Sequence, residues 1–273
     1  MEGIRKPAVA GLFYPEEKEI LQEQLNSLLG ENIADFQCEK IYGLVVPHAG
    51  YLYSGRTAAY AYNTLKQGSF KTVVILAPSH REYFPGVSVF SGDAYETPLG
   101  EIKVNKNIVE NITGRNRNIF SGLIGHGEHE HSLEVQLPFL QMLLKDFDLV
   151  PIVIGDQSQK YIDEISDILA EIHNKDILIV ASSDLSHFHK KAEAKLLDSF
   201  IVERINAMDY EGLMSDLAES KCEACGGGPI AALMRSAKLN NYNHSKVLHT
   251  SDSGDVSGDN TGVVGYLSSV IYE

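Results

Sequence analysis

Four apolar runs of strand length constrain this chain more than anything else in it: IYGLVV from Ile41, TVVILA from Thr72, LVPIVIG from Leu149 and DILIVAS from Asp176. Runs of this length without alternating polar positions read as strands buried on both faces. Amphipathic segments of helical period follow the first, third and fourth, over residues 56–65, 161–172 and 192–205. Strand-helix alternation of this kind predicts an α/β fold with a mostly parallel central sheet flanked by helices. Between them VSVFSGDAYETPLGEIKVN reads as two shorter strands turning at Thr97-Pro98-Leu99-Gly100. A last pair, SKVLHTS and TGVVGYLSSVIY, brackets the loop SDSGDVSGDN. No repeat, low-complexity tract or linker interrupts the series, so residues 1–273 are expected to form a single domain.

With 44% hydrophobic residues, the chain has ample material for one large core. Its 37 acidic against 23 basic residues give a formal charge of −14, which repels phosphate backbones and anionic lipid and argues against nucleic-acid or membrane partners. No run reaches the 18 apolar residues of a membrane span, and MEGIRKPAVAG lacks the apolar stretch of a signal peptide. Three cysteines make no disulfide framework. A reducing, cytoplasmic setting is expected.

Three of the apolar runs end alike. IYGLVV runs into Pro47-His48, TVVILA into Pro78-Ser79-His80, and DILIVAS into Ser183-Asp184-Leu185-Ser186-His187. In a parallel sheet the loops after the strands share one edge, where ligands bind, so three histidines and an aspartate can meet in one crevice. The alternative is that the strands lie apart and leave the histidines scattered on the rim.

CEACGGGPIAALM adds a cysteine. Pro229 suits the first turn of a helix, which puts Cys225 just ahead of a glycine-rich helix entrance whose N–H groups favour a thiolate. It is either a metal ligand or nucleophile, or a small buried thiol beside a tight turn. The C-x-x-C of Cys222 and Cys225 lacks the second ligand pair of a zinc site and sits too late in the chain for a thioredoxin-like motif.

The densest cluster is HGEHEHSLEVQLPFL, with His126, His129 and His131. It misses the H-E-x-x-H spacing of a zinc-binding helix, and after His131 the spacing of Leu133, Leu137 and Leu140 predicts a helix capped by Ser132. Some of these histidines are expected on a loop lining the crevice and at least one on solvated surface. G-x-S-x-G, Walker-type and G-x-G-x-x-G motifs are absent, which removes the commonest hydrolase and nucleotide-binding readings. The aspartates of SDSGDVSGDN miss the EF-hand spacing.

Taken in order, RKPAVAGLFYP, VPHAGYLYSG, APSH, HEHSLEVQLPFL, SSDLSH, CGGGPI, SGDVSGD and VVGY span essentially the whole chain. Together they resemble the Memo family, whose prokaryotic members are also called AmmeMemoRadiSam system protein B. The resemblance implies a fold similar to class III extradiol dioxygenases, which hold non-haem iron(II) between two histidines and a glutamate. It further implies a pocket of two histidines and a cysteine with an aspartate and another histidine beside it. On this sequence those are His48, His80 and Cys225 as metal ligands, with Asp184 and His187 as catalytic residues. A thiolate in place of the glutamate shifts such a site from iron(II) towards copper(I) or zinc. Two functions follow: a metal-dependent redox enzyme or metal-handling protein, or a binding module that holds a small molecule, a peptide or a protein partner of the AmmeMemoRadiSam system in the same pocket.

Overall fold

The computed structural model describes residues 3–31, 36, 38–67, 70–144 and 146–273. Its strands are β1 (Ile4–Arg5), β2 (Ile41–Val46), β3 (Thr72–Pro78), β4 (Val87–Phe90), β5 (Ala94–Thr97), β6 (Gly100–Lys103), β7 (Ile119–Gly122), β8 (Asp148–Ile154), β9 (Ile177–Ser182), β10 (His187–His189), β11 (His244–Asp252) and β12 (Val263–Tyr272). Its main helices are α1 (Lys18–Glu31), α2 (Tyr51–Tyr62), α3 (Lys106–Thr113), α4 (Leu137–Leu143), α5 (Gln159–Ile172), α6 (Lys191–Asn206), α7 (Tyr210–Ala218) and α8 (Gly227–Leu239).

Each of the four apolar runs becomes a strand of one large sheet, ordered β10-β12-β2-β9-β3-β8-β4-β7 with β11 added on β12. The central four, β2, β9, β3 and β8, run parallel as the sequence predicts. The flanks are mixed: β12 is antiparallel to β2, β10 and β11, and β4 is antiparallel to β8. Antiparallel neighbours need no crossover helix, and β11 passes to β12 through a single short helical turn, Gly254–Ser257. The β5-β6 hairpin turns over Pro98 and Leu99 as expected, and with β1 it forms a small separate sheet.

Every residue of β2, β3 and β9 is buried, so helices cover both faces. Helices α1, α2 and α4 pack together, as do α5, α7 and α8 with α6 beside α7. Two helices begin elsewhere than local periodicity suggests. Helix α2 starts at Tyr51, whose N–H bonds to the Phe13 carbonyl at 2.7 Å, a tertiary contact that spacing cannot reveal. Ser132 does not cap the helix expected after His131. A 3-10 turn, Glu134–Gln136, leads into α4 with Pro138 in its first turn, and the Ser132 hydroxyl lies 2.7 Å from Glu130 and 2.8 Å from the Pro78 carbonyl. Among the described residues no helix is long and apolar enough to cross a membrane.

One topological detail positions the site. The chain leaves β2 for β3 but skips a place in the sheet, and after β8 it returns through α5 to fill that gap with β9. The carboxyl ends of β2, β9 and β3 therefore lie side by side, with Val46 level with Ser182 and Leu76 level with Ala181.

Candidate metal centre

The residues that follow those three strand ends converge. His48 and His80 meet with ring centroids 5.1 Å apart, and one donor atom each from His48, His80 and Cys225 lies within 4.8 Å of the other two. The Cys225 Sγ sits 3.1 Å from His48 Nε2. Two such atoms bound to one tetrahedral ion, with metal–sulfur near 2.3 Å and metal–nitrogen near 2.0 Å, would stand roughly 3.5 Å apart. The spacing already present is therefore close to what an ion requires.

Hydrogen bonds fix which nitrogen each imidazole presents. Ser182 Oγ donates to the Ser132 carbonyl at 2.6 Å, which uses its single proton. It can then only accept, from Gln136 Nε2 at 2.8 Å and from His48 Nδ1 at 2.8 Å. His48 thus carries its proton on Nδ1, and its Nε2 lone pair faces Cys225. His80 is held in the same sense by a carboxylate: Glu130 Oε1 accepts from its Nδ1 at 3.0 Å, so Nε2 is the nitrogen outside that bond. Imidazoles held through the far nitrogen by a carboxylate or another acceptor are the arrangement that metal-ligating histidines use.

Cys225 is fixed from β9. The Asp184 N–H donates to its Sγ at 3.2 Å, and the Cys225 N–H donates to the Asp184 carbonyl at 3.2 Å. Gly226 makes this approach possible, since a Cβ there would stand 2.2 Å from the Ser182 carbonyl oxygen. Asp184 also ties β9 to β2, its Oδ1 accepting from the N–H groups of His48 at 2.7 Å and Ala49 at 3.3 Å.

Burial dominates the electrostatics. It holds His48 neutral well below the usual histidine range, with His80 and His131 adding to the effect, and it lowers His131 to about 4. It raises Asp184 to about 7 despite the two backbone donors. Burial also raises Glu130, but bonds from His80 and Ser132 outweigh it and hold that carboxyl at about 2. The thiolate expected for Cys225 at the helix entrance does not form by itself. Burial first and then the Asp184 carboxylate push the thiol far up, so without an ion the proton stays on sulfur, where it can bond to His48 Nε2.

His187 lies at the start of β10, half-buried, its pKa lowered chiefly by that burial, and outside the group of convergent donors. The three histidines of the dense cluster part company. His131 joins the site, its ring stacked on His80 at 4.8 Å and edge-on to His48 at 5.5 Å. His126 is a core residue whose Nδ1 lies 2.6 Å from the Tyr95 hydroxyl, and His129 is exposed. Cys222 is buried in the core.

Two glutamates of the same stretch, Glu130 and Glu134, have tasks that the sequence does not show. Glu130 holds His80. Glu134, with its side chain fully buried, pairs with Arg5 and accepts from the N–H groups of Ala8 at 2.8 Å and Val9 at 3.1 Å. Gln136 bridges Ser182 to the Pro47 carbonyl at 2.9 Å and accepts from the Tyr62 hydroxyl at 2.8 Å. The signal available in the sequence is polar residues dense within an otherwise helical apolar pattern, in EHSLEVQ.

Known proteins resemble this chain over nearly its whole length. The model of the Memo family, described as Memo-like protein, matches residues 5–270. A MEMO1 family protein of Thermoplasma volcanium is 38% identical over 268 residues, covering 98% of each chain. Another, of Methanosarcina barkeri, is 38% identical over 273 residues, covering 98% of this chain and all of its own. Among solved structures, an uncharacterised protein of Escherichia coli K12 matches with a TM-score of 0.51 over 85% of this chain and 99% of its own, at 13% identity, a likeness of fold alone. With its sequence matched almost end to end, the chain belongs to the Memo family.

Proposed function

We propose that His48, His80 and Cys225 bind one metal ion and that the protein is a metal-dependent redox enzyme or a metal-handling protein. The observation that carries this reading is the convergence of one donor atom each from His48, His80 and Cys225 within 4.8 Å of one another, with both imidazoles held by a bond at Nδ1. A donor set of two imidazoles and one thiolate suits copper(I), zinc or iron(II), and a bound ion would supply Lewis acidity or electron transfer. His187, half-buried beside the donors, is assigned proton transfer, and Asp184 the positioning of His48 through its backbone. The three thiols are unpaired, which suits a reducing cytoplasm.

A second reading, a pocket that holds a small molecule, a peptide or a protein of the AmmeMemoRadiSam system, draws on exposed apolar side chains that neighbour the site residues in sequence. Leu12, Leu52, Tyr83 and Phe188 are exposed large apolar side chains close in sequence to Phe13, His48, His80 and His187, and Phe188 holds a left-handed backbone with φ 63°. The charge of −14 weighs against nucleic acid as that partner. Elemental analysis of protein purified anaerobically without an affinity tag separates the two. About one equivalent of ion, lost in His80→Ala, supports the metal site; full reconstitution of His80→Ala to wild-type affinity would refute it.

A further inference from the structure

The site contains a third imidazole that no hydrogen bond fixes. His48 and His80 each have a partner on Nδ1, whereas among the described residues nothing bonds to the ring nitrogens of His131, and its closest carboxylate oxygen, on Glu130, is 3.9 Å away. The ring is located by packing instead, against Phe13 at 4.7 Å on one side and His80 at 4.8 Å on another. Donor atoms of His80, Glu130 and His131 also lie within 4.8 Å of one another, so two three-donor groups overlap and share His80. The three imidazoles differ in depth. The side chains of His80 and His131 are 27% and 16% exposed, while His48 is 1% exposed.

We propose that His131 is an entry ligand: with His80 it captures an incoming ion at the mouth of the site and passes it inward to His48 and Cys225. This rests on the reading of those inner residues as a metal site. His80 belongs to both groups, so the ion exchanges His131 for the two inner donors without being released. The one proton lost is that of the Cys225 thiol, which passes to solvent as the metal–sulfur bond forms. Glu130 stays with His80, since five protein groups lie within bonding reach of its two oxygens. A donor free of hydrogen bonds suits a transient contact, because releasing the ion leaves no network to rebuild, and holding the ion beside the triad raises its effective concentration there.

The test is the rate of zinc(II) uptake from a chelator-buffered solution by wild type, His131→Phe, His80→Ala and His129→Ala. Phenylalanine keeps the ring stack and removes the donor. The expected result is uptake about tenfold slower in His131→Phe with final affinity unchanged, and wild-type uptake in His129→Ala, which alters an exposed histidine. Wild-type uptake by His131→Phe would overturn the inference, as would a loss of final affinity as deep as that of His80→Ala, which would make His131 a resident ligand. Wild type with no saturable zinc binding would instead contradict the underlying metal site, and the inference with it.

Discussion

His80 meets one carboxylate twice: its backbone N–H reaches Glu130 Oε2 at 2.6 Å and its ring Nδ1 lies 3.0 Å from Oε1. Orientation and tautomer of the imidazole are thereby set together. Replacing the carboxylate with an amide leaves a group that can donate where an acceptor is required, so Glu130→Gln is expected to weaken metal binding by about 10–100-fold while the protein stays folded. Competition titration against a chelator of known affinity checks it. Unchanged affinity would mean that Glu130 merely braces its own loop.

Arg5 and Glu134 form an ion pair with both side chains nearly inaccessible, and Arg5 also bonds to the Glu130 carbonyl. Removing one member leaves the other charge buried without compensation. Arg5→Ala is therefore expected to cost about 3–5 kcal/mol of stability in urea unfolding. A cost near that of an exposed ion pair, below about 1 kcal/mol, would contradict the arrangement.

Gly226→Ala would drive a methyl group against the Ser182 carbonyl oxygen at 2.2 Å and the Ser183 Cβ at 2.8 Å. Because Gly226 follows the candidate ligand Cys225, the strain is expected to displace the thiol. About 1–3 kcal/mol of stability is lost to overpacking, and Cys225 becomes faster to react with a thiol reagent. Wild-type thiol reactivity would show that the backbone adjusts without moving the sulfur.

Acid sensitivity should have a component from His126. Burial lowers its pKa to about 3, with the Ser88 carbonyl only partly opposing. Between that value and the unfolded value near 6.5 the unfolded chain binds the extra proton and the folded one does not, so stability falls as pH drops through this window. His126→Gln is expected to flatten the dependence of unfolding free energy on pH between about 6.5 and 3, relative to wild type. Equal slopes would place the acid sensitivity on other groups, of which His48 and His131 are depressed in the same direction.

The parts of the site carried by the backbone were legible from the sequence. His48, His80 and Asp184 each follow an apolar run, and parallel strands deliver such loops to one edge; Cys225 stands out because Gly226 and its neighbours permit close approach. That β9 would slot between β2 and β3 was not legible, since strand order depends on long-range packing that no local pattern encodes. Ser182 and Gln136 were missed for a related reason. Their task, setting the tautomer of His48, exists only once β9 and the turn before α4 are side by side. Burial beside a carboxylate raises the Cys225 thiol more than the helix-end N–H groups lower it, a balance that the sequence does not reveal.

Cobalt(II) titration under anaerobic conditions tests the central claim most directly, because a thiolate bound to cobalt(II) gives a charge-transfer band in the near ultraviolet that imidazoles alone do not. The expected result is a band saturating at about one equivalent in wild type and in Cys222→Ser, absent in Cys225→Ser and strongly weakened in His48→Ala and His80→Ala. A band that survives in Cys225→Ser, or that disappears in Cys222→Ser, would contradict the assignment of His48, His80 and Cys225 as the metal site.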